Sequence, residues 1–145
     1  MKKFLIIGNS NAITQKNIFP HIASGEWLMR SSNNKIHLSM DFIDCDGNIK
    51  NIPSAWFTNI GIPSTNTLTL SKKYNPNDYP KYDNIDAINV NRIKDIPMDY
   101  DGCMAVPISI VLFTNQFEIV GALPRGGPIN GHFTYKRVLV KKKKG

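Results

Sequence analysis

One strand–turn–helix segment at the N-terminus constrains the fold more than any other part of this sequence. Residues 4–7 are continuously apolar, and the run ends at Gly8. A continuous apolar run is typical of a strand buried on both faces of a parallel sheet. Residues 12–24 have amphipathic helical spacing, which Pro20 should kink or divide in two and Gly25 should end. The sequence therefore predicts half of a βαβ unit.

The rest of the chain has the pattern of a β-rich protein. Residues 36–42 alternate between apolar and polar side chains, and a turn at Asp46 and Gly47 leads into a return strand over 49–57. Pro53 should break that strand or place it at an edge. Further strands are predicted at 67–73, 105–113, 117–120 and 133–140, with a polar loop at 74–84 and a Gly- and Pro-rich turn at 123–131. We expect an α/β or α+β fold.

Length and composition limit the class of protein. A chain of 145 residues is one domain or a fragment of one, and its apolar content excludes whole-chain disorder. The two cysteines, Cys45 and Cys103, are too few and too far apart for a disulfide scaffold. No apolar run approaches the 18 or so residues that a membrane span needs, so we expect a cytoplasmic protein that does not contact membranes.

The sequence gives only weak signals for catalytic or metal chemistry. A strand that ends at Gly8 before a helix is able to hold a phosphate, but the extra glycines of nucleotide-binding motifs are missing, which favours an ordinary strand. The histidines His21, His37 and His132 are scattered, and neither cysteine has a partner at metal-ligand spacing. Nothing marks Cys103 as an activated nucleophile. We therefore predict no catalytic residue and no metal site.

Basic and aromatic residues cluster in one loop-rich stretch and near the C-terminus. The net charge is +7, from 18 Lys and Arg against 11 Asp and Glu. Lys and Arg neutralise phosphates, Asn pairs with adenine, and Tyr stacks on unpaired bases. A solvated polar loop remains the alternative reading. The predicted DNA-contacting residues are Lys72, Lys73, Tyr79, Lys81, Tyr82, Asn84, Asn89, Arg92, Lys136 and Arg137.

Longer stretches of the chain resemble EcoRI-type adenine-specific DNA methyltransferases. The similarity is strongest at Lys73-Tyr74-Asn75-Pro76 and at residues 78–84 and 86–90. Collinear matches extend over nearly the whole chain, at 2–14, 18–20, 56–60, 94–97, 99–102, 106–109, 116–121, 129–131 and 135–140. The chain is similar only to the part of such enzymes that follows the catalytic Asn-Pro-Pro-Phe or Asn-Pro-Pro-Tyr motif, because the sequence contains no Pro-Pro dipeptide.

The resemblance implies the late part of a Rossmann-like methyltransferase sheet at 1–30, a β-rich recognition region at 31–140 and a basic tail at 141–145. It implies the DNA-recognition part of an adenine-N6 methyltransferase from a restriction-modification system. S-adenosylmethionine would serve the full-length enzyme but is not expected to bind this chain alone, which should be inactive. The expected partners are double-stranded DNA and the missing N-terminal part or a second copy of the chain. The alternative is a non-catalytic nucleic-acid-binding module derived from such an enzyme.

Overall fold

The computed structural model describes residues 2–30, 39–61 and 67–143. The chain divides into two compact units, Met1–Pro63 and Ser64–Gly145. Both combine short helices with small sheets, which confirms the α+β class. No helix in the described ranges is long and apolar enough to cross a membrane.

The first unit contains a three-stranded sheet, a separate hairpin and two short helical segments. The strands are β1 (Leu5–Asn9), β2 (Leu28–Arg30), β3 (Met40–Ile43), β4 (Ile49–Ile52) and β5 (Ser54–Thr58). The sheet has the order β1-β5-β2, and β3 pairs with β4. A 3₁₀ turn spans Ser10–Thr14, and the helix α1 spans Phe19–Ala23.

The prediction of a buried parallel strand at the N-terminus is wrong. β1 pairs antiparallel with β5, with Leu5 opposite Thr58 and Asn9 opposite Ser54. Leu5, Ile6 and Ile7 are 58%, 56% and 43% exposed. An apolar run predicts a strand that tends to be buried. Other segments of the structure decide which strand pairs with it and which residues pack on its faces.

The predicted interruptions in the first unit are confirmed. The helical region forms two short pieces, with Pro20 in the first turn of α1, where its missing N–H costs nothing. Gly25 follows the helix with a φ of 80°. Pro53 separates β4 from β5, as its lack of a donor predicts. Residues 36–38 of the predicted alternating strand lie outside the described residues.

The second unit is built on a four-stranded sheet. The strands are β6 (Ile88–Asn89), β7 (Met104–Val106), β8 (Phe117–Leu123), β9 (Pro128–Ile129), β10 (His132–Phe133) and β11 (Arg137–Lys142). The sheet has the order β6-β7-β11-β8, in which β6 and β7 run parallel and the other neighbours are antiparallel. Two 3₁₀ helices span Ile93–Asp95 and Ile108–Phe113, and β9 pairs with β10 in a separate hairpin.

The core of the second unit lies against the central strands. Val138 and Val140 of β11 are fully buried together with Met104 and Val106 of β7. Arg137, the first residue of β11, is only partly buried, and Lys141 is exposed. This alternation is that of a strand with one face on a core, and it holds a strongly basic segment firmly in the sheet.

Two predicted strands of the second unit are wrong. Residues 67–73 form no strand. The backbone N–H and carbonyl of Leu68 bond instead to the side-chain amide of Gln116, whose oxygen accepts and whose nitrogen donates. The predicted strand 105–113 stops at Val106. Pro107 caps a 3₁₀ helix there, since proline has no N–H to donate to a ladder.

Substitution of Gly126 by alanine should destabilise the second unit. Gly126 has a φ of 72°, and a Cβ there would lie 1.9 Å from the carbonyl oxygen of Thr134. We expect a loss of about 1 kcal/mol from the left-handed backbone and about 1–3 kcal/mol more from overpacking. Urea unfolding followed by near-UV circular dichroism measures this, because all five tyrosines lie in the second unit.

Gly131→Ala is the matched control for this prediction. Gly131 has a φ of 79°, but nothing lies within 4 Å of a Cβ at that position. Gly131→Ala should therefore lower the free energy of unfolding only by the cost of the left-handed backbone, about 1 kcal/mol. Equal losses in the two variants would contradict the packing argument.

Candidate nucleic-acid interface

Positive charge is segregated along the chain. Residues 119–145 contain seven of the 18 Lys and Arg and none of the 11 Asp and Glu. The preceding 118 residues therefore carry eleven of each sign, and the final segment accounts for the whole net charge of +7. A basic segment with no acidic residues of its own attracts polyanions. Its cations are Arg125, Lys136, Arg137, Lys141, Lys142, Lys143 and Lys144.

The second unit fixes most of this segment in regular structure. Arg137, Lys141 and Lys142 belong to β11, so the first residues of the predicted basic tail form part of the sheet. Arg125 is exposed in the turn between β8 and β9. Lys142 donates to the carbonyl oxygen of Met98. The positive charge is thus attached to a packed sheet.

Three of the four cations predicted in the 72–94 loop have a carboxylate within 4 Å. Lys72 and Arg92 both contact Asp95, at 2.9 and 3.3 Å, and Lys81 lies 3.4 Å from Asp86. The hydrogen bond to Asp95 raises the pKa of Lys72, and the same bond holds the pKa of Asp95 below its ordinary value. The positive potential of this loop is therefore partly compensated within the loop.

Other predicted contact residues have exposed side chains. Lys73 and Asn84 are exposed, and Lys136 is partly exposed. DNA contact by these residues and by the rest of the predicted set stays a prediction.

Three of the predicted residues form a hydrogen-bonded network inside the second unit. The hydroxyl of Tyr82 donates to Oδ1 of Asn89 at 3.0 Å, and Nε of Arg137 donates to the same oxygen at 3.4 Å. Burial raises the pKa of Tyr82 and lowers that of Arg137. Tyr79 is also buried, and its hydroxyl donates to the carbonyl oxygen of Asp95. This arrangement favours a supporting role for Tyr79, Tyr82 and Asn89.

The hairpin β9–β10 lies directly before the basic strand. Its turn is Asn130-Gly131, with φ angles of 50° and 79°, as in the tight turns that suit two-residue hairpins. The two carboxylate oxygens of Asp83 accept from the N–H groups of Asn130 and Gly131, at 2.8 and 2.9 Å. The N–H of Asp83 donates to the carbonyl of Pro128. A single aspartate thus fixes the hairpin at its tip and its base.

Arg125, Asp83 and the hairpin were not among the features predicted from the sequence. Two signals were present. One is the Asn-Gly dipeptide at 130–131, the strongest short-range indication of a hairpin. The other is the absence of acidic residues after Glu118, which is visible only when charge is counted by segment.

The N-terminal strand end does not suit a phosphate or a cofactor. Oδ1 of Asn9 accepts from the N–H of Asn11, and the N–H of Ser10 donates to the carbonyl of Pro53. These are the amides that would otherwise hold an anion. The described residues also contain no group of three or more His, Cys, Asp or Glu able to hold a metal. Burial raises the pKa of Cys103, which disfavours its reactive thiolate.

Comparison with known proteins decides the family. The sequence profile of the family described as "Adenine-specific methyltransferase EcoRI" matches residues 1–143. This chain belongs to that family. The resemblance inferred from the sequence is therefore confirmed.

Curated relatives of this methyltransferase family match nearly the whole chain. It is 39% identical to the Type II methyltransferase M.EcoRI of Escherichia coli, over 99% of this chain and 51% of the relative. It is 33% identical to M.MgeORF184P of Mycoplasma genitalium, over 84% of this chain and 45% of that protein. M.MpnI of Mycoplasma pneumoniae is 32% identical, with 84% and 44% covered. The chain spans about half the length of these relatives, and it matches the C-terminal portion of M.EcoRI. No solved structure gives a significant match.

The Lys72–Asp95 pair should make stability depend on pH. The pKa of Asp95 is lower in the folded chain than its ordinary value. The ionised carboxylate therefore stabilises the folded chain fully above the ordinary aspartate pKa of about 4, and this stabilisation is lost as the pH falls through the folded-state pKa. Asp95→Asn should lower the urea midpoint at pH 7, and the difference from the unaltered chain should shrink toward pH 2.

Asp86→Asn provides the control, because the Asp86 side chain is 91% exposed and its ion pair with Lys81 is surrounded by water. It should change the urea midpoint much less than Asp95→Asn at pH 7. A difference between Asp95→Asn and the unaltered chain that persists unchanged at low pH would contradict the role assigned to the ion pair.

Proposed function

We propose that this chain is the DNA-recognition part of a site-specific adenine-N6 methyltransferase of a restriction-modification system. One observation carries the proposal. In a chain of this family, all the net positive charge lies in a segment that β11 anchors in a folded sheet. Cations on a rigid surface release counterions from duplex DNA when they bind it, and this release drives much of the affinity. Among the cations of this segment, Lys142 also lies 3.7 Å from Asp101.

The chemical step requires parts that this chain does not supply. An adenine methyltransferase holds the flipped base through an Asn-Pro-Pro-Phe or Asn-Pro-Pro-Tyr motif and places a methyl sulfonium beside the amino group. The sequence contains no Pro-Pro dipeptide, and the amides after β1 are engaged within the chain. Within the described residues, these engaged amides after β1 do not suit S-adenosylmethionine. We therefore assign the cofactor and the catalytic residues to the portion of the enzyme that corresponds to the other half of the relatives.

Exposed apolar residues of the first unit support a contact with that portion. Eight of the twelve large hydrophobic residues that the structure leaves exposed belong to the first unit. They include three consecutive residues of β1, which lies at an edge of its sheet. Apolar surface of this kind marks protein interfaces, and an edge strand offers unpaired backbone groups to a further strand. We propose that the catalytic portion covers β1 and continues its sheet in a Rossmann-like arrangement.

The chain's own contribution is then binding and orientation. Exposed cations of the final segment contact phosphates and fix the register of the duplex, while Tyr82, Asn89 and Arg137 hold the hairpin and the sheet edge in place. The positions of the cations are set before DNA binds, so less ordering is required of the protein.

The salt dependence of duplex binding tests this proposal. The logarithm of affinity should fall linearly with the logarithm of salt concentration, with a slope of about −0.9 for each phosphate contact. Arg125→Gln and Lys136→Gln should each weaken binding and reduce the slope by about one unit. Fluorescence anisotropy of a labelled duplex at several salt concentrations measures both quantities.

Lys72→Gln is the matched control, since Lys72 is already engaged by Asp95. It should change the slope by less than either of the other variants. An unaltered chain that does not bind duplex DNA, or that binds with no salt dependence, would contradict the proposal.

A non-catalytic nucleic-acid-binding module is the second candidate function. The second unit forms a buried core from its own residues, which favours a binding module that folds without a catalytic portion. Mixing the chain with the separately produced N-terminal half of M.EcoRI, duplex DNA and labelled S-adenosylmethionine distinguishes the two candidates. Methyl transfer above that of the N-terminal half alone supports the recognition part. Duplex binding without any gain in transfer supports the binding module.

A further inference from the structure

The hairpin β9–β10 combines rigidity with an exposed aromatic ring. Phe133, at the end of β10, is 73% exposed, and Tyr135 two residues later is 68% exposed. Thr134 between them faces the interior. Its hydroxyl lies 3.2 Å from that of Tyr82 and accepts from the N–H of Gly127 at 3.1 Å. Because neighbouring residues of an extended chain point in opposite directions, the inward position of Thr134 turns both rings outward.

The backbone around the hairpin leaves little room for movement. The N–H of Thr134 donates to the carbonyl of Gly127, and Asp83 holds the turn through both carboxylate oxygens. A Cβ on Gly127 would lie 2.6 Å from the ring of Tyr82, so only glycine fits between the loop and that ring. Exposed aromatic rings cost free energy in water, and a rigid support for one suggests that it meets a partner.

The cations before and after the hairpin in the sequence indicate that the partner of Phe133 is anionic. Arg125 precedes the hairpin, Lys136 and Arg137 follow it, and the carboxylate of Asp83 is occupied by backbone donors. An apolar ring with cations before and after it in the chain matches a ligand with flat apolar faces inside an anionic exterior. Duplex DNA is such a ligand, and its major groove admits a two-stranded β-ribbon.

We propose that the hairpin enters a groove of duplex DNA and that Phe133 stacks against the bases there as an aromatic wedge. This inference rests on the proposed function, since it requires that the chain bind duplex DNA. Apolar side chains inserted at a base step partly unstack it, which lowers the cost of moving a base out of the duplex. Phe133 would then contribute base contact, and the cations beside it would contribute phosphate contact.

Three variants of the 145-residue chain test the wedge. Phe133→Ala should weaken duplex binding by roughly tenfold, a typical loss for one base–aromatic stack, and the salt slope should stay unchanged because no phosphate contact is removed. Phe133→Trp should retain affinity, because indole also stacks, and its added fluorescence should be quenched by duplex DNA. Phe42→Ala, which removes an exposed aromatic ring from β3 in the first unit, should leave affinity unchanged.

The outcomes separate failure of the wedge from failure of the proposed function. If Phe133→Ala binds as tightly as the unaltered chain, or if the fluorescence of the added indole is not quenched, the proposed stacking of Phe133 is wrong. Salt-dependent binding of the unaltered chain would still support the proposed function in that case. If the unaltered chain shows no salt-dependent binding, both fail. Far-UV circular dichroism and the urea midpoint of each variant show whether an affinity change comes from unfolding. Because Phe133 is exposed, we expect its substitution to leave the fold intact.

Discussion

The pairing of β11 with strands on both sides is the interaction on which the second unit depends. Val138 and Val140 are fully buried, and the strand runs antiparallel to both β7 and β8. A segment that carries Arg137, Lys141 and Lys142 would be a solvated tail without these anchors. Burial of alternate valines instead fixes the basic side chains at defined positions along a sheet. The electrostatic character of the unit follows from this packing.

The distribution of charge explains why a modest net charge is informative here. Lys72, Lys81 and Arg92 are paired with Asp86 or Asp95. The final segment has no acidic residue of its own, although its Lys142 lies 3.7 Å from Asp101. The aspartate nearest to the hairpin, Asp83, is engaged by backbone N–H groups. The final segment therefore has an excess of cations over acidic neighbours, which suits a polyanionic partner.

The sequence predicts features that depend on local stereochemistry. Pro20 and Pro53 divide the helix and the strand as expected, since the lack of an N–H acts wherever proline lies. The exposure of β1 was not predictable, because an apolar run does not reveal which segment pairs with it or what covers its faces. Among the predicted site residues, residue type indicated the polar character of Tyr82 and Asn89. It did not indicate that they bond to each other, which the pairing of distant segments decides.

Amide hydrogen exchange with and without duplex DNA tests the central claim most directly, because it reports where on the chain the DNA lies. The account predicts slower exchange in residues 123–143 when DNA is bound, centred on the hairpin β9–β10 and the start of β11. It predicts no change in β1, which we assign to a contact with protein. Protection confined to the 72–94 loop or to β1, with none at 123–143, would contradict it.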